Sequence, residues 1–232
     1  MASATIAPMF LIRPVSAFVL ALGVGLAAVP PAQGTRDRQK LLTPTDPTFT
    51  VPARAVSFVR LETTKGLVVI EVIRAWAPLG ADRFVNLVRH GFYDEARIFR
   101  VRPKTWVQFG IAGDPKVAQA WRPMTFADDP AVGQSNVRGT IAFAFAVPNG
   151  RTTQVFINLT DNSATHDKEP FVPFGRVIEG MDVADAWFDG YGETAGGGIR
   201  AGKQDPVFQG GNEYLRQNFP RLDYIKTARV IP

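Results

Sequence analysis

The chain has no cysteine and only two histidines, His90 and His166, in 232 residues. The first absence excludes disulfides, thiol nucleophiles and cysteine-rich zinc sites together. The second leaves too few imidazoles for a histidine-built metal centre. Charge is almost missing from the first 34 residues, where Arg13 stands alone. Long apolar runs are missing too: the one from about Val15 to Val29 is shorter than the roughly 20 residues of a spanning helix. No cysteine follows it, which excludes a bacterial lipid anchor. The net charge of +5 is modest, and the one basic cluster (Arg97, Arg100, Arg102, Lys104) is split between two faces if it lies on a strand. Without a broad basic stripe interleaved with aromatics, no nucleic-acid partner is expected. No repeat of fixed period is present.

What the N-terminus does contain is ordered: a positive residue, a short apolar stretch, the small residues 27–34, then the charged TRDRQK. That is the order of a secretory signal peptide, with cleavage after Ala28 or after Gly34. An uncleaved N-terminal anchor is the alternative. Either way the globular part is expected outside the cytoplasm, periplasmic or secreted, with no membrane contact of the mature domain. The expected organisation is a signal peptide over residues 1–34, a linker or extended arm over 35–55 (LLTPTDPTFTVP is rich in Thr and Pro), and one domain over 56–232.

Within that domain, SFVRLETT, KG and LVVIEVI predict a hairpin from Ser57. Residues 78–90 carry Phe84, Leu87 and Val88 at helical spacing, and Gly91 supplies a stop. Short strands are predicted over 98–101, 106–111, 140–146, 154–159, 173–178 and 223–230, a second helix over 181–188, and a loop-rich stretch over 189–220. A mainly β fold follows: a closed antiparallel barrel of about eight strands capped by two helices.

Two stretches place polar side chains among residues that otherwise read as buried strand. RIFRVRPKTWVQFGIAG (97–113) carries Arg100, and RGTIAFAFAVPNGRTTQVFIN (138–158) carries Gln154. An arginine beside core strands marks a cleft wall. In these blocks the chain resembles the cyclophilin-type peptidyl-prolyl cis–trans isomerases. The family's active-site strand has a phenylalanine, a variable aromatic or histidine, the catalytic arginine and an aliphatic residue. IFRV matches it, with Ile98 for the phenylalanine, Phe99 in the variable place and Arg100 as the arginine. Eight residues on, Gln108 of VQFGI stands at the substrate-holding glutamine. Ala144 and Phe145, then Gln154 and Phe156, keep the family's offsets. PFVPFGRVIEGMDV (170–183) is similar to the closing strand and its turn into a helix.

The resemblance, from about Val59 to Ile231, implies isomerisation of X–Pro bonds with Arg100 as catalyst. It also implies a substrate site of Phe99, Thr105, Trp106, Gln108, Ala144, Phe145, Gln154, Phe156 and Phe171. No cofactor or metal is implied. The partners expected are proline-containing peptides and unfolded or newly exported proteins, and the expected state is a monomer. The residue types suit the task. Rotation about a peptide bond faces about 18–20 kcal/mol because amide resonance is lost. No bond is cut, so neither nucleophile nor metal is needed. A guanidinium aimed at the prolyl nitrogen meets a lone pair that forms only as the amide twists, which is the condition for raising rate.

There are departures. Thr105 and Trp106 stand where the family's proline pocket has phenylalanine and methionine; Trp106 either refills the space or narrows it. The place of a pocket leucine falls near Thr165 and His166, and Phe171 stands where many members have histidine. A second reading therefore keeps the fold without turnover, as a proline-peptide binding module or holdase, with Thr105 as its main support. GGIRAGK (197–203) has phosphate-loop spacing, but Gln204 replaces the required hydroxyl and Pro206 disfavours the helix that should follow.

Overall fold

Val56–Thr63 (β1) buries Ser57, Val59, Leu61 and Thr63 on alternate positions, as a half-covered strand must. The computed structural model describes residues 1–3, 39–196 and 204–232, so nearly all of the stretch expected to be a signal peptide and the whole of GGIRAGK lie outside the described residues. The fold below is that of Pro31–Pro232, one of two compact units. β1 turns at Gly66 into Leu67–Ile73 (β2), antiparallel, with Glu62 opposite Leu67. The remaining strands are Arg100–Arg102 (β3), Trp106–Phe109 (β4), Thr140–Phe143 (β5), Val155–Asn158 (β6), Pro173–Glu179 (β7) and Ile225–Ile231 (β8). Their order across the sheet is β3-β4-β6-β5-β7-β2-β1-β8, and every pairing is antiparallel.

The mainly β, eight-stranded expectation holds among the described residues, but the closed ladder does not. β3 and β8 are the ends of the order. They meet only just before their first residues, through a bridge between Arg97 and Tyr224, with Ile98 N–H donating to Asp223 O at 2.9 Å and Ile225 N–H to Ala96 O at 3.0 Å. At three residues, β3 is too short to carry a ladder further. The sheet is therefore open and curled.

The two-helix cap also needs correction. Pro78–Arg89 (α1) forms as expected and packs Phe84, Val85, Leu87 and Val88 into the core. It ends in a Schellman motif: Phe92 N–H reaches Leu87 O at 2.9 Å and Gly91 N–H reaches Val88 O at 3.0 Å, with Gly91 at φ +73°. Pro115–Trp121 (α2), Ser163–His166 (α3), Met181–Asp185 (α4) and Asp205–Asn218 (α5) follow. Pro206 does not prevent α5, because it sits in the first turn, where a missing N–H costs nothing. The Thr/Pro-rich arm is packed: Leu41 and Phe49 are buried, Trp121 Nε1 donates to Leu41 O at 2.9 Å, and Asn86 Nδ2 bonds Phe49 O and Val51 O.

Candidate active site

Strand register alone assembles a row of side chains across four strands. Arg100 on β3 lies opposite Gln108 on β4, Gln108 opposite Phe156 on β6, and Phe156 opposite Ala142 on β5. Two residues along, Arg102 faces Trp106. Period-2 alternation keeps Trp106 and Gln108 on one face, as it does Gln154 and Phe156. All of these but Ala142 line a cleft of about 430 Å³.

One half of the cleft is apolar. Trp106, Ala142 and Phe156 form a small buried cluster apart from the main core, with Ala144 and Phe171 packed on it. Phe156 and Phe171 meet edge to face at 5.3 Å, and Trp106 lies 6.5 Å from Phe156. His166, on α3, closes this half at 5.3 Å from Phe156 and 5.1 Å from Phe171. Burial between those rings holds its pKa below the ordinary histidine value, and Arg102 acts in the same sense; Glu169 and Asp167 pull the other way.

The other half is polar. The Arg100 guanidinium lies over the Trp106 ring at 4.3 Å, with its side chain only 13% exposed. Its Nε donates to Glu193 Oε1 at 2.8 Å, its Nη2 to the same oxygen, and its Nη1 to Gln108 Oε1 at 3.0 Å. Gln108 Nε2 donates to Gln154 Oε1 at 2.7 Å. Gln204 makes reciprocal amide bonds with Gln154 at 2.8 and 3.0 Å. Ala144 N–H donates to Gln154 O at 2.9 Å, and Ala144 and Phe145 both line the same groove. Phe145 stacks on Phe171 at 4.5 Å and is backed by Arg151 at 4.7 Å. Burial pushes that guanidinium down to about 10.

Eight of the ten residues expected in the site therefore come together: Arg100, Trp106, Gln108, Ala144, Phe145, Gln154, Phe156 and Phe171. Phe99 does not. Alternation turns it away from Arg100 and into the main core, where it is 1% exposed. Nor does Thr105 line the cleft; its hydroxyl donates to Pro103 O at 3.3 Å within the β3–β4 turn. Sequence reasoning passed over Gln204, Phe208, Arg122 and Glu193. The first two belong to α5 or its N-cap, which read as loop, and Arg122 is stacked on Phe208 at 4.4 Å. In the sequence His166 stands near the unassigned leucine position and among Asp161, Asp167 and Glu169, a group that reads as a solvated loop and gives no sign of a pocket wall.

The arrangement offers cation-based donors beside an apolar pocket, with no paired carboxylates or activated hydroxyl among the lining residues. Such a lining can hold a neutral group and donate to it. Comparison with known proteins gives the family. A family model described as "Cyclophilin type peptidyl-prolyl cis-trans isomerase/CLD" matches residues 58–202. A peptidyl-prolyl cis-trans isomerase of Acinetobacter baylyi is 32% identical over 137 residues, covering 57% of this chain and 72% of that protein. One from Streptomyces antibioticus is 34% identical over 138 residues, 56% of this chain and 82% of the relative. Peptidyl-prolyl cis-trans isomerase B of Escherichia coli is 30% identical over 134 residues, 55% of this chain and 81% of the relative. Among solved structures, a cyclophilin-type isomerase of Cryptosporidium parvum superposes with a TM-score of 0.54 at 17% identity, covering 76% of this chain and 98% of that one, which supports the fold. With the family matched over more than half of its length, the chain belongs to the cyclophilin-type peptidyl-prolyl cis–trans isomerases and is an enzyme of that class.

Proposed function

We propose that an X–Pro segment of an unfolded or newly exported protein binds in this cleft and that Arg100 lowers the barrier to rotation. The observation that carries this reading is the position of one half-buried guanidinium, over the Trp106 ring, at the border between the polar and apolar halves. The proline ring sits among Trp106, Phe156, Phe171 and His166. Gln108, Gln154 and the Ala144–Phe145 backbone hold the flanking peptide. As the amide twists, the prolyl nitrogen becomes pyramidal and accepts from Arg100. That bond is made in the transition state and not in the planar ground state, so it raises turnover. A millionfold acceleration requires about 8 kcal/mol, more than one charge-assisted hydrogen bond supplies, so gripping a twisted peptide contributes the rest.

A related structure from Cryptosporidium parvum was determined in the presence of the dipeptide Ala-Pro, at TM-score 0.52 and 18% identity over 75% of this chain and 99% of that one. It supports the choice of a proline peptide as ligand. Export rests on the residue order of positions 1–34. The binding-module alternative, whose main support is Thr105, is less favoured because a pure binder has no need of a donor to the prolyl nitrogen, and Arg100 and Gln154 both line the cleft. Titrating the full chain with an Ala-Pro peptide while following the four Trp indole N–H signals by NMR tests the site. The Trp106 signal is expected to move most. An unmoved Trp106 signal with saturable binding would place the peptide elsewhere.

A further inference from the structure

The polar half of the cleft is strung together with a single direction. Arg100 has five N–H donors and no acceptor. Among the described residues three are engaged: those on Nε and Nη2 with one oxygen of Glu193, and one on Nη1 with Gln108. One hydrogen on each terminal nitrogen is left for a substrate. Since a guanidinium only donates, Gln108 must turn its oxygen toward Arg100 and its Nε2 toward Gln154. Gln154 then presents its own Nε2 to Gln204, which closes the string with two amide bonds. Glu193 and Gln204 thus hold the two ends, and both lie in the stretch between α4 and the first turn of α5. Neither falls in the blocks that carry the family resemblance.

Two roles for Glu193 can be told apart by where it sits. A carboxylate that competed with substrate would cover the cleft-facing edge of the guanidinium. Glu193 is not among the lining residues, and it takes the edge formed by Nε and Nη2, leaving Nη1 to the cleft-lining Gln108. Its own side chain is 38% exposed, whereas that of Arg100 is 13% exposed, so screening weakens the charge pairing more than the geometric constraint on the buried partner. Gln204 is 3% exposed, which fixes the far end.

We propose that Glu193 and Gln204 are positioning residues of this isomerase. Glu193 fixes the guanidinium over Trp106 with its terminal donors facing the cleft, and Gln204 fixes the amide of Gln154, before any peptide arrives. The proposal rests on the role given to Arg100 above. Its physical content is pre-organisation: donors already aimed need no reordering as the amide twists.

The test is exchange-spectroscopy NMR of an X–Pro peptide with the full chain, fitted for kcat and KM. Wild type is compared with Glu193→Ala, Glu193→Gln, Gln204→Ala, Arg100→Ala and, as a surface control, Glu213→Gln. Glu193→Ala is expected to lower kcat roughly tenfold with KM little changed, as a loosened near-attack geometry does. Glu193→Gln restores part of kcat, because its amide oxygen still accepts from Nε. Gln204→Ala raises KM severalfold instead, since Gln154 holds backbone. The slowly exchanging Nε–H signal of Arg100 should vanish in Glu193→Ala and persist in Gln204→Ala. If Arg100→Ala is inactive while Glu193→Ala turns over as fast as wild type or faster, positioning by Glu193 is wrong. If Arg100→Ala keeps full turnover, the role of Arg100 fails first and this proposal falls with it.

Discussion

At the scale of residues, the cleft is governed by which neighbours a polar group finds. Arg100 is tolerable inside a wall of rings because its charge is stacked on Trp106 and shared among Glu193 and Gln108. His166 is different. Its Nδ1 is buried without a hydrogen-bond partner, its neighbours are Phe156 and Phe171, and the charges facing it are Glu169, Asp167 and Arg102. With its pKa held below 6.5, the imidazole is neutral when folded at pH values where the unfolded chain already takes up a proton. Stability therefore falls as pH drops through 6.5 toward the folded pKa, and no further below it. KM for a proline peptide is expected to rise severalfold as pH falls below 6.5 through the folded pKa, because a charged wall is a poor partner for a proline ring. His166→Leu should flatten that profile; a profile unchanged by the substitution would remove His166 from the pocket's workings. What is legible in the sequence at this scale is register: Arg100, Gln108 and Phe156 share a row because strands pair, and their spacing announces it. Phe99 and Thr105 lie apart from that row, since likeness to a motif does not say which side chains alternate into the core or belong to a turn.

At the scale of elements, the hairpin of β1 and β2 and helix α1 were legible, since alternation, a helical stripe and the Gly91 stop are all local signals. α5 was not. Its polar sequence contains Pro206, Gly210 and Gly211, and its stability comes from packing on α2 that no local pattern reveals. Gly211 is the hinge of that packing. At φ +53° and ψ −144° it occupies a conformation open mainly to glycine, and a Cβ there would lie 2.3 Å from Gly113 O. The same carbonyl accepts from Asn212 N–H at 2.9 Å. Gly211→Ala is expected to cost about 1–3 kcal/mol and to lower Tm by roughly 2–10 °C. Because Gln204 and Phe208 ride on the N-terminal side of this bend, KM should rise as well. Thermal unfolding followed by circular dichroism checks it, and an unchanged Tm would show that the bend is relaxed at no cost.

At the scale of the whole molecule, the chain is an isomerase domain held by an arm that precedes its first strand. Leu41 and Phe49 are buried, and Phe49 packs on His90 and Trp121 at 4.5 and 4.7 Å. Both expected cleavage positions, after Ala28 and after Gly34, leave this arm attached. Cleavage on export predicts an N-terminus at Val29 or Thr35 in mass spectrometry of the protein purified from cells; an intact Met1 would contradict cleavage. Removing residues 1–52 should cost at least about 3 kcal/mol in urea unfolding, from two large side chains no longer buried. Removing 1–34 should cost little. The open curl of the sheet was not legible, because whether β3 and β8 pair depends on where two distant chain ends come to lie.

The central claim is that Arg100 lowers the rotation barrier. Exchange-spectroscopy NMR of a short X–Pro peptide with wild type and with Arg100→Ala tests it directly. The account predicts fast cis–trans exchange with wild type and, with the variant, binding of the peptide but exchange no faster than in its absence. Equal exchange with both proteins would contradict it.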